Sequence, residues 1–377
     1  MKLSKSLSLL GSVACICLLA MSTHAAVTLT PAAGGASISA DSTGGTFASL
    51  TGPVLAEGAT GDIAPGTIVL NAPAGFEFDT NAAVTVAVTG TGIGNDVALT
   101  SGTAVVTTSN VTVEVFASSD GTETSVLTWS GIAVRPTAGT PLVSGTITES
   151  GTATFTLDST PVDNYGALAE VAGTVAQLAF TTQPASATAG AAFGTQPVVV
   201  TQDQFGNAST SGLGSSLNVT VTLSAGTGPL QGTATADIGT AAGNGTVTFT
   251  DLRIDVAGTD KQITATASGL TSASSSIFAV SHAAAAALVV QQQPSSSATA
   301  GVAFAQQPLV RIEDAFGNLI DDDNSTVITA ARNTGSGTLQ GTLTATASSG
   351  VATFTDLAHN LAGNISVSFS NGSLSSA

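Results

Sequence analysis

Beyond the first 26 residues, apolar side chains recur at every second position in short runs. In Leu217-Asn218-Val219-Thr220-Val221-Thr222-Leu223 the odd positions are aliphatic and the even ones polar, and Gly245-Thr246-Val247-Thr248-Phe249-Thr250 repeats the pattern with Val247 and Phe249. Successive side chains of an extended strand point to opposite faces, so each run predicts a strand with one buried face. Further strands are predicted near 177–181, 197–202, 232–236, 262–267 and 274–280, and seven short strands in about a hundred residues is the number in an immunoglobulin-like sandwich. Residues 27 to about 173 alternate in a different order. Val84-Val86-Val88, Val111-Val113-Val115 and Ala153-Phe155-Leu157 are each spaced by two, and Asp62-Ile63-Ala64-Pro65-Gly66 reads as a turn before a strand from Thr67 to Leu70. No stretch holds an apolar period of 3.6 for three turns. The fold class is therefore all-β.

The second half of the chain is written twice. Gln183-Pro184, Ala189-Gly190, Phe193, Gln196-Pro197 and Asp203-Gln204-Phe205-Gly206-Asn207 return as Gln293-Pro294, Ala300-Gly301, Phe304, Gln307-Pro308 and Asp314-Ala315-Phe316-Gly317-Asn318. Downstream, Gly226-Thr227-Gly228-Pro229-Leu230-Gln231-Gly232-Thr233 is answered by Gly335-Ser336-Gly337-Thr338-Leu339-Gln340-Gly341-Thr342. Phe249, Asp251-Leu252 and Gly258 are answered by Phe354, Asp356-Leu357 and Gly363. A period of about 105–111 residues exceeds a solenoid unit and suits one self-sufficient sandwich. The expected organisation is a leader at 1–26, a separate β-sandwich domain at 27–174, a first Ig-like repeat at 175–281 and a second at 282–377. The linkers, Glu170 to Ala176 and Ser281-His282 with the alanines 283–287, are short, which predicts a stiff array. Leu374 to Ala377 aligns with Leu270 to Ala273, so the second repeat is read as lacking the strand equivalent to Ser274 to Val280; either the sequence is a fragment or the last sandwich has an open strand slot.

The leader is read from Lys2 and Lys5, the apolar run Leu7 to Met21 and the small residues around His24-Ala25-Ala26, which together form a secretory signal peptide. Processing as a lipoprotein at Cys15 is the alternative. The run is too short to favour a membrane span and no other stretch is long enough for one. Both cysteines lie in the leader, so the rest of the chain has no disulfide and no thiol nucleophile. Removing the leader leaves five basic residues (Arg135, Arg253, Lys261, Arg311, Arg332) against 24 acidic ones, a net charge of −19. Nothing in that balance attracts a phosphate backbone or anionic lipid, which excludes nucleic acid as a partner. The expected location is extracellular or at the cell surface.

The Asp-x-Phe-Gly-Asn segments, each directly after an aliphatic strand (Val198 to Thr201; Leu309 to Ile312), together with the Gly-x-Gly-x-Leu-x-Gly-Thr turn, resemble the bacterial Ig-like repeats of invasin- and intimin-type adhesins over residues 177–377. The resemblance implies extracellular spacer modules that hold an adhesive or enzymatic head away from a cell. The outer-membrane β-barrel and the cysteine-containing lectin-like tip of those adhesins have no counterpart here, so adhesion enters by analogy alone. Taken from the residues themselves, Asp203 and Asp314 accept hydrogen bonds from the amides of the following turn, Gly206-Asn207 and Gly317-Asn318 tolerate positive φ, and Phe205 and Phe316 plug one end of their sandwich.

The chain has no Gly-x-Ser-x-Gly elbow, no His-Glu-x-x-His and no Cys/His cluster. His282 falls in a linker and His359 in a loop, and Glu77 and Asp79, two apart on one strand, lack a pocket to separate their pKa values. No enzymatic activity is expected. Asp314, Asp321, Asp322, Asp323 and Asn324 gather oxygen ligands that suit a structural calcium ion, against the plainer reading of a solvated acidic turn; the first repeat has Ser209-Thr210-Ser211 in the corresponding loop. The single Trp129 and Tyr165 are expected in the core or at a corner rather than as sugar platforms. The function read from the sequence is a secreted or cell-surface structural protein, an adhesin stalk or surface-assembly component whose partner is an extracellular protein or glycan. The alternative is a carbohydrate-binding module with its head in residues 27–174.

Overall fold

The computed structural model describes residues 26–158, 163–374 and 376–377. The leader, but for Ala26, lies outside them. The described chain is almost entirely β, with one short 3-10 turn at Ala40–Ser42, and it forms two compact units that divide after Val171.

In the first unit, Gly66–Asn71, Asn110–Ala117, Ser144–Gly151 and Gly166–Val171 are the long members of a seven-stranded sheet. Thr28–Thr30, Val54–Ala56, Ser125–Ser130 and Thr85–Gly90 form a four-stranded sheet. Alternation decides what each contributes inward: Val111, Val113 and Val115 from one sheet and Leu127 and Trp129 from the other meet in a single core. Trp129 and Tyr165 are 1% and 0% exposed, as their place in apolar segments predicts. Residues 153–157 depart from expectation. Ala153, Phe155 and Leu157 are half-buried, but only Leu157 bridges another strand position, Val27, so the segment alternates without forming a ladder.

In the second unit each repeat has its own core. The first is built on Val199, Val219, Val221, Phe249, Leu252 and Ile263, the second on Val310, Ile312, Ile328, Phe354, Leu357 and Phe369. Gln177–Thr182, Val198–Gln202 and Thr246–Thr248 make one sheet of the first repeat. The other runs in the order Ala187–Thr188, Phe278–Ser281, Gly258–Ala267, Asn218–Ala225, Thr235–Asp237. The second repeat answers with Ala285–Gln292, Leu309–Asp314 and Val351–Thr353, and with Thr344–Thr346, Val327–Thr334 and Ser366–Ser370. The alanines before Leu288 thus lead into a strand.

The residues written twice prove to be internal ties. Gln196 accepts from the Leu252 amide (3.1 Å) and donates to its carbonyl (2.9 Å), and Gln307 does the same to Leu357 at 3.0 Å in both directions. Asp251 accepts from the amide and hydroxyl of Thr233 at 2.8 and 2.9 Å, and Asp356 from those of Thr342 at 2.7 and 3.0 Å. The glycine before each threonine has φ near +95° (+98° at Gly232, +93° at Gly341), and a Cβ there would collide with the aspartate's own carbonyl at 2.3 Å, which is why glycine stands in both copies.

Candidate functional site

The Asp-x-Phe-Gly-Asn turn is where the repeats meet. Asp314 ends its strand and is 3% exposed. One carboxylate oxygen accepts from the amides of Phe316 (2.8 Å) and Asn318 (2.9 Å), the other from the Ala283 amide and the Asn318 side chain, both at 2.8 Å. The first copy is the same in detail: Asp203 accepts from Phe205 and Asn207 at 2.9 Å, from the Asn207 side chain at 2.9 Å and from Gly173 at 2.8 Å. Each turn therefore fastens the entering chain of its own repeat to the end of its second long strand. Burial disfavours both carboxylates as anions, but the accepted hydrogen bonds outweigh it and hold Asp203 and Asp314 below the ordinary aspartate range.

Asn318 also reaches the first repeat. Its side-chain NH2 donates to the Asp255 carbonyl (2.8 Å) and its oxygen accepts from the Ala257 amide (2.9 Å). The Phe316 ring lies on Gly190, where a Cβ would stand 2.2 Å from it. Two of the expectations about this turn need correction. Phe316 does not plug its own sandwich but covers a bare patch of backbone on the preceding one, and it stays 45% exposed because that patch is small. Positive φ falls on the glycines alone, at +89° for Gly206 and +82° for Gly317, while Asn207 and Asn318 keep ordinary backbones and spend their side chains on hydrogen bonds. Sequence reasoning missed the joint because a tie within one repeat and a tie between repeats use the same residue types; the signal was Ala-Gly recurring at 189–190 and 300–301 together with the recurring Phe205 and Phe316.

The acidic loop is divided among several tasks. Asp323 accepts from the amides of Ser325 and Thr326 at 2.9 Å and from the Thr326 hydroxyl at 2.6 Å. Asn324 accepts from the Ser349 amide at 2.9 Å. With Asp314 committed to its turn, the five oxygen ligands read as a calcium set do not converge. Asp321 and Asp322 instead face His282, at 3.8 and 3.0 Å from its Nε2. Among the described residues these three alone bring three such ligand atoms within 4.8 Å of one another. Nδ1 of His282 faces the Ala283 carbonyl at 2.8 Å. Both ring nitrogens thus meet acceptors, an arrangement that suits the imidazolium: first the Ala283 carbonyl, then, against some desolvation, the two aspartates raise the His282 pKa.

Elsewhere, Glu77 pairs with Arg135 at 2.7 Å, and Asp79 accepts from the Asn81 amide at 2.9 Å, so these two carboxylates are separately engaged. Lys261, with no exposed surface, donates Nζ to the Thr227 carbonyl at 2.8 Å. No described helix is long and apolar enough to cross a membrane.

No protein-family model and no curated sequence matches the chain. Among solved structures the chain is similar to the pilus adhesin SpaC of Lactobacillus rhamnosus GG, at 12% identity and a TM-score of 0.19, over 83% of this chain and 50% of that one. The chain thus answers to half the length of that protein, and a likeness of this degree carries no argument about function.

Proposed function

We propose that this chain is a structural module of the cell surface, the spacer of an adhesin or other surface assembly, exported by its leader and acting without catalysis. The observation that supports this reading is the joint. Phe316 on Gly190 and Asn318 across the Asp255–Ala257 backbone fix one repeat on the next, and a spacer needs fixed angles between modules to hold its ends apart. Any partner, an extracellular protein or a glycan, is assigned to residues 27–174, because that domain is not repeated. The carbohydrate-binding reading relied on Trp129 or Tyr165, and both rings are enclosed in the core.

The test is the distance distribution between spin labels at exposed sites of the two repeats in the leaderless chain. A narrow distribution that broadens with Gly190→Leu or Asn318→Ala is expected. A parent distribution as broad as the variants' would sink the spacer reading, and specific retention of a glycan by the parent chain would replace it with the carbohydrate-binding one.

A further inference from the structure

Two carboxylates of the first unit converge where the chain supplies no positive charge. Beyond the paired residues Gly90 and Ser125, the segments 91–96 and 118–124 stay side by side: Thr122 donates its amide to the Ile93 carbonyl at 2.9 Å, and Asp120 donates its own to the Asn95 carbonyl at 3.0 Å. Their approach is close, since a Cβ on Gly92 would stand 2.2 Å from the Thr122 carbonyl oxygen. Glu123 is enclosed between them and is 5% exposed. Its Oε2 accepts from the Gly92 amide at 2.8 Å, whereas its buried Oε1 has no hydrogen-bond partner. That oxygen meets Asp96. A Cβ on Gly90 would stand 1.9 Å from Glu123 Oε1 and 1.8 Å from Asp96 Oδ1, so both oxygens crowd the place a side chain would take and lie less than 4 Å apart. Arg135, the one basic residue of positions 27–171, is bound to Glu77 at 2.7 Å. Glu57 reaches the same loop but is engaged with the Ser119 hydroxyl and the Ser125 amide, both at 2.8 Å, and with the Ile63 amide at 3.0 Å.

We infer that Glu123 and Asp96 hold a hard divalent cation of the calcium or magnesium type. A buried carboxylate oxygen with neither a donor nor a counter-charge is costly, and a second carboxylate beside it adds repulsion. A cation bridging Oε1 and Oδ1 supplies the missing partner and turns the repulsion into attraction. The protein donors are carboxylate oxygens alone, which suit calcium or magnesium, whereas zinc and copper favour imidazole or thiolate. Their separation suits one ion with oxygen ligands at about 2.0–2.6 Å. Glu123 fixes the inner side of the site through its bond to Gly92, while Asp96 is exposed and leaves an entry from solvent, with water completing the coordination. Two side-chain ligands make a weak site, with a dissociation constant on the order of 0.1–1 mM, the range of extracellular modules.

The test is thermal unfolding of the leaderless chain followed by the fluorescence of Trp129, the single tryptophan, which lies in the core of the first unit and so reports on that unit. Calcium and magnesium are titrated in separate arms at neutral pH and constant ionic strength. At about tenfold excess over the dissociation constant, one ion or both should raise the melting temperature by a few degrees, and the arm that responds at lower concentration identifies the preferred ion. Glu123→Gln, which keeps an acceptor for the Gly92 amide, and Asp96→Asn should each weaken the apparent affinity at least tenfold. Asp322→Asn, in the cluster around His282, should leave it unchanged. A parent chain whose melting does not respond to either ion would overturn the proposal, as would a response that survives both first-unit substitutions or is lost in Asp322→Asn. Stabilisation by mild acid with no response to either ion would overturn it in favour of a proton shared between the two carboxylates.

Discussion

Asp314 supports the joint indirectly, by holding the residues that make it. It orders its own turn, anchors the incoming Ala283 and orients Asn318, whose amide then grips the first repeat. Replacing it with alanine leaves several donors in a closed space without an acceptor, a cost of about 2–4 kcal/mol. Thermal unfolding of Asp314→Ala should show that loss, whereas Asn318→Ala, which keeps the carboxylate network on backbone amides, should lose about 1 kcal/mol. The charges add a pH signature. Asp203 and Asp314 have pKa values below the usual aspartate value, so their contribution is present above it and disappears as pH falls through the lowered values. His282 is raised, so its contribution is full below the ordinary histidine value and is lost as pH rises through the higher one. Stability should therefore be greatest in mildly acidic solution. The alkaline decline, worth at most about 1 kcal/mol because both aspartates are exposed, should shrink in Asp322→Asn without vanishing, since the Ala283 carbonyl and Asp321 still favour the imidazolium.

Among the elements, the alternating strands were legible because period-two burial leaves its mark on the sequence directly. Asn218–Ala225 buries Val219 and Val221, and Val247 and Phe249 follow the same rule. What stayed hidden depends on contacts between distant elements. Ala153 to Leu157 alternates like a strand yet finds almost no partner, since alternation specifies a face and says nothing of who pairs the edge. The division of labour in the acidic loop was equally hidden: Asp321, Asp322 and Asp323 are neighbours in sequence, but Asp323 caps a turn while the other two face His282. Lys261 is the sharpest case. On Gly258–Ala267 it occupies a position that buries its whole stem, with Nζ on the Thr227 carbonyl. Its burial makes a proteolytic test available, because trypsin requires an accessible, locally unfolded bond. Brief digestion of the leaderless chain should spare Lys261, and early cleavage there would mean that the first repeat is not folded as described.

For the molecule as a whole, three separate apolar cores imply three cooperative units, since each core is buried by its own sheets and no apolar cluster runs through all of them. The joint modifies this picture within the second unit. Phe316, Asn318 and the Asp255–Ala257 backbone connect the two repeats through a small patch, enough to fix an angle but not to merge two cores. Pulling the leaderless chain by its ends should therefore give three unfolding events, with the repeats releasing up to about 35–39 nm of chain each at the extended limit of ~3.6 Å per residue. Breaking the joint with Gly190→Leu, a residue that meets both a φ of +79° and the Phe316 ring, should weaken the joint while leaving the number of events unchanged. One event covering both repeats would mean that the joint couples them into a single cooperative body, whereas a repeat that releases its length gradually, without a discrete step, would mean that its core is not sufficient by itself.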